Sequence, residues 1–310
     1  MNNYDTLVSC LLTVYNRETV KETIQSLLTQ TYRDIEIIIV DNCSTDNTVN
    51  IIKSINDSRI KLYVNDKNYG QIYSLNRGLS LANGKFIVRI DADDICDPTR
   101  IEKQVELMKR NEKLVIVGSN IKLIDKNNQN LGIIKYPQKN EEIKKFLFLD
   151  SPFAHPSVMI RKDILINNNM KYNENFLICA DYELWTRLLQ FGEGENIQEP
   201  LVFYRIGEND SSKHMKVINT ETNYIKERLL KTITNRMEYK YYEVICRYEC
   251  KTKRNIFNSI SVYRNYIKLI KPKSKDETRN IRRIIYYRFI TQNCESKLSK
   301  IIVKMRGVLK

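Results

Sequence analysis

The sequence predicts an α/β protein: a mostly parallel sheet with helices on both faces, followed by a mainly helical C-terminal region. Three observations carry this. Apolar, β-branched runs alternate with segments of helical spacing, the runs are apolar on both sides as in strands covered on both faces, and the charge changes sign along the chain. At 310 residues, 42% hydrophobic, the chain can bury a substantial core, although its formal charge is +14.

The elements follow in order. TLVSCLLTV (Thr6 to Val14) is a run of buried-strand type. In TVKETIQSLLTQ, Val20, Ile24, Leu27 and Leu28 recur at helical spacing. IEIIIVD is a β-branched run ending in Asp41, and STDNTVNIIKSI follows it with Ser44 or Thr45 as candidate helix caps. IKLYV, QIYSLNRGLSLA, KFIVRID, PTRIEKQVELMKR and LVIVGS continue the alternation, with Pro98 suited to the first turn of its helix. ADYELWTRLLQ reads as a further helix.

Charge divides the chain into two regions. Residues 211–310 carry a net +17, whereas residues 1–210 carry a net −3. The polar stretch GENDSSKH (Gly207 to His214) marks the boundary. We therefore expect a catalytic or binding domain over 1–210 and a basic, helical region over 211–310. The first residues lack the pattern of a secretory signal, and no segment has the roughly 18 unbroken apolar residues of a membrane span. Seven cysteines without paired spacing fit a reducing compartment, so the expected location is the cytoplasm. Cys246 and Cys250 read as helix packing, and two histidines make a zinc site improbable.

Ligands of such sheets lie beyond the carboxyl ends of the strands. The first strand exits into Thr13, Val14, Tyr15 and Asn16, the second into Asp41, Asn42 and Cys43, and the fourth into Asp91, Ala92, Asp93 and Asp94. An aromatic ring beside hydrogen-bonding groups suits a nucleobase. Clustered carboxylates are hard ligands for Mg2+ or Mn2+, which bridge phosphate oxygens. Helix capping by the acids is the competing reading; it accounts for Asp97 but hardly for the three before it.

VSCLLTVYNR, QTYRDIEIIIVDNCSTDNT, NYGQIYSLNRGLSLANGKFIVRIDADD, HPSVMIR and ADYELW, in this order, resemble the family 2 glycosyltransferases over roughly residues 5–205. The resemblance implies a GT-A type, Rossmann-like fold and transfer of a sugar from a nucleotide donor. It implies that Tyr15 stacks on the base with Thr13 nearby, and that Asp41 and Asn42 read the base, usually uracil. Asn42 stands in place of the more usual acid, and Cys43 where many relatives have glycine. It assigns Asp91 to the ribose or nucleotide, Asp93 to the metal and Asp94 to a second metal contact. Asp181 is the implied general base, taking the proton of an acceptor hydroxyl as the new bond forms. Glu183 is the competing acid, and a favourable interaction with the helix N-terminus is the plain reading of both. Trp185 is a candidate sugar-stacking face or a core residue. His155 is a candidate diphosphate contact, a gate near the metal or a structural side chain, and Gly70 marks a loop that approaches the donor.

A single base with a metal-held leaving group implies direct displacement with inversion. The chain lacks the Q-x-x-R-W segment of the family's polymer synthases, so one sugar per acceptor is expected, in lipopolysaccharide, capsule or other surface-polysaccharide assembly. VINTETNYIKERLLKTI and NIRRIIYYRFITQNCESKL suggest amphipathic, basic helices. These could rest on an anionic inner leaflet near a lipid-linked acceptor, pack on the catalytic domain, or meet another anionic partner. Two rival classes are a non-catalytic nucleotide-sugar binding module and, from the pI of about 9.3, a nucleic-acid-binding protein; no nucleic acid is expected as partner.

Overall fold

The computed structural model describes residues 6–206 and 215–232. The chain falls into two compact units, residues 1–146 with 151–208, and residues 147–150 with 209–310. The sequence GENDSSKH, the Cys246–Cys250 pair and the basic segments beyond residue 232 lie outside the described residues.

The first unit contains β1 (Val8–Val14), α1 (Val20–Leu28), β2 (Ile35–Asp41), α2 (Thr48–Lys53), β3 (Ile60–Val64), α3 (Gln71–Leu81), β4 (Phe86–Asp91), β5 (Ile95–Cys96), α4 (Arg100–Arg110), β6 (Leu114–Ile124), β7 (Asn130–Ile134), α5 (Asn140–Phe146), a 3-10 turn (His155–Ser157), β8 (Met159–Arg161), α6 (Lys162–Asn167), α7 (Ala180–Leu188) and β9 (Glu193–Arg205). The strands form one sheet in the order β3-β2-β1-β4-β8-β6-β9-β5, with β7 paired to β6. The first four are mutually parallel; β8 joins β4 and β6 antiparallel, so the sheet is mixed beyond that point.

Every residue of β1 and β2 is buried, which is why these strands read as continuous apolar runs. Val20, Ile24 and Leu27 of α1 and Ile101, Val105 and Met108 of α4 pack with β1, β2 and β4 in one core. Ser44 and Thr45 do not cap α2. Its N-cap position is Asn47, and Asp46 accepts the Thr48 amide at 3.0 Å. Pro98 sits in the turn before α4, where Asp97 accepts both the amide and the hydroxyl of Thr99 at 2.9 and 2.7 Å.

At the opposite end of the sheet from the acidic turn, Glu36 is buried. It receives Ser9 Oγ at 2.5 Å, Lys61 Nζ at 2.6 Å and the Asn83 amide at 2.7 Å. Beside it a Cβ on Gly84 would come within 2.6 Å of the Ser9 nitrogen, so only glycine allows β1 this close. Burial pushes the Glu36 carboxyl up, but the hydrogen bonds from Lys61, Ser9 and Asn83 outweigh it and hold the group down at about 2. A depressed carboxyl stabilises the fold above its unfolded value and loses that contribution as pH falls. Glu36→Gln should therefore cost about 1–2 kcal/mol at neutral pH, a deficit that shrinks as pH drops from about 4.5 towards 2 and that urea melts across this range would measure.

In the second unit, α8 (Met215–Lys231) buries Thr222, Ile225, Lys226, Leu229 and Leu230 and exposes Tyr224. The amphipathic helix expected over this segment is present. No helix among the described residues is long and apolar enough to cross a membrane.

Candidate active site

Register builds the site. Thr13 lies opposite Val40 on one side and Asp91 on the other, while Val14 lies opposite Asp41. Thr13, Asp41 and Asp91 thus lie at the ends of three adjacent strands, at the rim where the strand order passes from β2-β1 to β4, the place at which such sheets leave a crevice. Tyr15, 44% exposed, follows at the same rim. The loop after β1 is fastened to the loop after β2: the Asn16 amide donates to Ser44 Oγ at 2.9 Å, Thr45 donates to Asn16 Oδ1 at 2.8 Å, and the Arg17 amide donates to Thr48 Oγ1 at 2.8 Å. Ser44 and Thr45 serve here rather than as caps.

Asp41 is fully buried. Its Oδ2 accepts the Ser44 amide at 2.9 Å, whereas Oδ1 has no hydrogen-bond partner. An unpaired buried carboxylate oxygen is costly unless a ligand donor completes it. Asn42 has a different task from the one expected. Its Oδ1 accepts from Asn65 Nδ2 and the Tyr69 amide, both at 3.0 Å, and its Nδ2 donates to Asn68 Oδ1 at 2.6 Å. With both acceptor positions taken, the Asn42 carbonyl oxygen shapes the 65–70 loop and is not offered to a base. Gly70 closes that loop at φ +89, before α3. Cys43 also lies at positive φ, +66, which accounts for glycine at this slot in relatives.

The acidic turn divides its three carboxylates. Asp91 pairs with Arg89, a side chain only 2% exposed whose Nε and Nη1 lack partners. Asp94 is fully buried, and its Oδ1 accepts the Arg205 amide at 2.9 Å. One carboxylate oxygen is thus engaged by β9, while Oδ2 is buried without a hydrogen-bond partner, as Asp41 Oδ1 is. Asp93 keeps a 25% exposed side chain, with Arg17 Nε 3.7 Å away. Burial first and the Asp91 charge second raise both Asp93 and Asp94 above the usual carboxylate range. Among the described residues no group of three or more His, Cys, Asp or Glu side chains could hold a metal by itself. Asp91 and Asp93 would offer two neighbouring carboxylates, a donor set that suits Mg2+ or Mn2+, which use one or two carboxylates with water and substrate phosphates.

The helix α7 begins at Ala180 and carries half-buried Asp181 in its first turn. Tyr172 is buried, and burial first raises its phenol; Arg89 opposes this, while Asp181 and Asp91 both add to it. Both carboxylates therefore lie within electrostatic reach of one phenol. Glu183, the competing acid, is 1% exposed and held by Arg187 Nη2 at 2.7 Å and Nε at 3.0 Å, which removes it from substrate. His155 bonds Tyr172 Oη through Nε2 at 2.9 Å. Burial, then Arg89, pushes its pKa well below the ordinary histidine range, so it is neutral and positions the phenol.

Trp185 has no exposed surface and packs edge-on against Phe153, His155 and Tyr172, with ring centroids 6.0–6.5 Å apart. It is a core residue under the site and offers no face to a sugar. Trp185→Ala should cost about 3–5 kcal/mol, read as a lower Tm; a raised acceptor KM with unchanged Tm would restore the stacking role.

Tyr172, Arg89 and Arg205 had no role assigned from sequence. A cation inside the apolar run FIVRI was the available signal for Arg89.

The model for "Glycosyl transferase family 2" matches residues 9–167. The chain belongs to that family. Among family 2 relatives, the O-antigen biosynthesis glycosyltransferase WbnJ of Escherichia coli is 32% identical over 76% of this chain and 94% of its own. WfaP of E. coli, named a UDP-Glc:alpha-D-GlcNAc-diphosphoundecaprenol beta-1,3-glucosyltransferase, is 30% identical over 71% of this chain and 86% of its own. The structure of mannosyltransferase PcManGT from Pyrobaculum calidifontis, in complex with GDP-Man and Mn2+, superposes with TM-score 0.62 at 12% identity, covering 99% of this chain and 88% of that one. Likeness at that identity shows the fold, and the fold of this glycosyltransferase is of the GT-A type.

Proposed function

We propose that this glycosyltransferase moves one sugar from a UDP-sugar to a hydroxyl of a glycan or lipid-linked acceptor, with inversion, in surface-polysaccharide assembly. The observation that carries this is the convergence at one rim of Thr13, Asp41 and Asp91, with Asp181 and Asp91 both within electrostatic range of Tyr172. The names of WbnJ and WfaP support the setting and the lipid-linked acceptor. WfaP supports UDP, and the unpaired Oδ1 of Asp41 is matched by the N3–H of uracil.

Each residue then has a task. Tyr15 stacks on the base, Asp41 accepts from its edge, and Asp91, its charge balanced by Arg89, orients the ribose. Asp93, with Asp91 beside it, would hold Mn2+ or Mg2+. When bound, the cation neutralises charge on the departing diphosphate. Asp181 accepts the proton of the acceptor hydroxyl as its oxygen bonds to the anomeric carbon and the bond to the diphosphate breaks on the opposite side. One carboxylate in this position suffices for inversion. The net positive charge of residues 211–310 supports a working position at the cytoplasmic face of an anionic membrane.

A thermal-shift screen of UDP, GDP and their sugars, with and without Mn2+, tests the reading. UDP with Mn2+ should raise Tm most, by a metal-dependent increment. A preference for GDP would overturn the base assignment, and no response to any nucleotide would overturn the site.

A further inference from the structure

Arg205, the last residue of β9, meets the acidic turn from behind. Its side chain is 8% exposed, and its donors reach three segments. Nε donates to the Asp93 carbonyl at 2.9 Å, Nη1 to the Asp125 carbonyl in the β6–β7 turn at 3.1 Å, and Nη2 to Glu22 Oε2 on α1 at 2.8 Å. Its own amide holds Asp94 Oδ1 at 2.9 Å. β9 leads up to this point by pairing with β5, directly after the turn, through Ile95 with Phe203 and Cys96 with Val202.

We infer that Arg205 is a positioning residue that fixes the direction of the Asp93 carboxylate for cation binding. The inference rests on the reading of Asp93 as the residue that holds the divalent cation. Its physical basis is local. Fixing the Asp93 carbonyl fixes the peptide plane between residues 93 and 94, and anchoring the Asp94 carboxylate fixes the next residue. Asp93 is left with one direction for its Cα–Cβ bond. A flexible turn would have to lose that freedom each time the cation bound.

Charge acts with the opposite sign. A guanidinium near a cation site repels the cation, so a purely electrostatic role predicts tighter metal binding once Arg205 is removed. Glu22 offsets that repulsion, because its carboxylate pairs with the same guanidinium. A positioning role predicts weaker binding. It also predicts that lysine, which keeps the charge but loses the fork of donors, fails to rescue.

Mn2+ binding to the full chain at saturating UDP, followed by the free-Mn2+ electron paramagnetic resonance signal, separates these cases. UDP affinity without metal is measured in parallel. Arg205→Lys and Arg205→Ala should each weaken Mn2+ by about 10–100-fold while leaving metal-free UDP affinity unchanged. Glu22→Gln, at a half-exposed carboxylate, should weaken Mn2+ by about two- to fivefold. Wild-type Mn2+ affinity in Arg205→Lys, tighter binding in Arg205→Ala, or equal loss of UDP and Mn2+ in both would overturn the inference. Should neither variant fold, unchanged Mn2+ affinity in Glu22→Gln overturns it alone. If the wild-type protein binds UDP but no Mn2+, the assignment of Asp93 itself falls; a wild type that binds Mn2+ beside unaffected variants leaves that assignment standing and removes only the role of Arg205.

Discussion

Asp181→Asn should lower the rate of sugar transfer by about 10²–10⁴-fold and leave binding of UDP with Mn2+ unchanged. The asparagine keeps the size and the hydrogen-bonding oxygen of the side chain but cannot take a proton near neutrality. A sugar hydroxyl is a poor nucleophile unless its proton leaves as the bond forms. Glu183 cannot substitute, because Arg187 holds it and it is 1% exposed. Glu183→Gln should therefore show mainly in Tm. Single-turnover assays of both variants with one donor and acceptor decide between the two acids. A rate within threefold of wild type for Asp181→Asn, together with collapse in Glu183→Gln, would reverse the assignment.

Asp93→Asn should reduce kcat/KM by about 10²–10³-fold and abolish the Mn2+-dependent part of UDP binding. The three acids of the turn are not equivalent, and their partners say why. Asp91 is already neutralised by buried Arg89, and Asp94 is fully buried with one carboxylate oxygen on the Arg205 amide. The Asp91 and Asp93 side chains are each about a quarter exposed, but Asp91 is paired closely with Arg89, whereas Arg17 stands 3.7 Å from Asp93. Its charge is the one that a cation can use. Asp94→Asn should act more on stability than on metal, since it alters a buried contact between the turn and β9. Isothermal titration with UDP, with and without Mn2+, measures the difference. Equal losses of Mn2+ binding in the two variants would contradict this division of tasks.

How much of this was legible in the sequence depended on how far apart the interacting residues stand. β1, β2 and β4 were readable because strands covered on both faces are apolar at every position, and IEIIIVD is buried at all seven. Their ends supplied Tyr15, Asp41 and the acidic turn directly. β9 was not readable. Its thirteen residues, EGENIQEPLVFYR, mix acids, a glycine and Pro200, and its pairing with β6 shifts register around Asn120, where Pro200 enters. That strand brings Arg205 to Asp93, a contact across 112 positions that no local pattern announces.

The side chains whose roles stayed open in the sequence share a cause. Trp185 and Glu183 lie in the first turns of the helix that carries Asp181, so proximity in sequence suggested proximity to substrate. Helical geometry sends them elsewhere: both are buried, whereas Asp181 two residues before Glu183 stays half-buried. Asn42 was read by its chemistry alone, as a carbonyl offered to a base. Its three partners, Asn65, Asn68 and Tyr69, are what assign it to the loop.

The central claim is that one rim, formed by the ends of β1, β2 and β4, holds nucleotide and cation together. The direct test is a crystal of the protein with UDP and Mn2+, with anomalous data at the manganese edge. The account predicts one anomalous peak in contact with the Asp93 carboxylate and with the diphosphate, and uracil between Tyr15 and Asp41. Manganese and UDP bound away from Asp93, or uracil out of reach of Asp41, would contradict it.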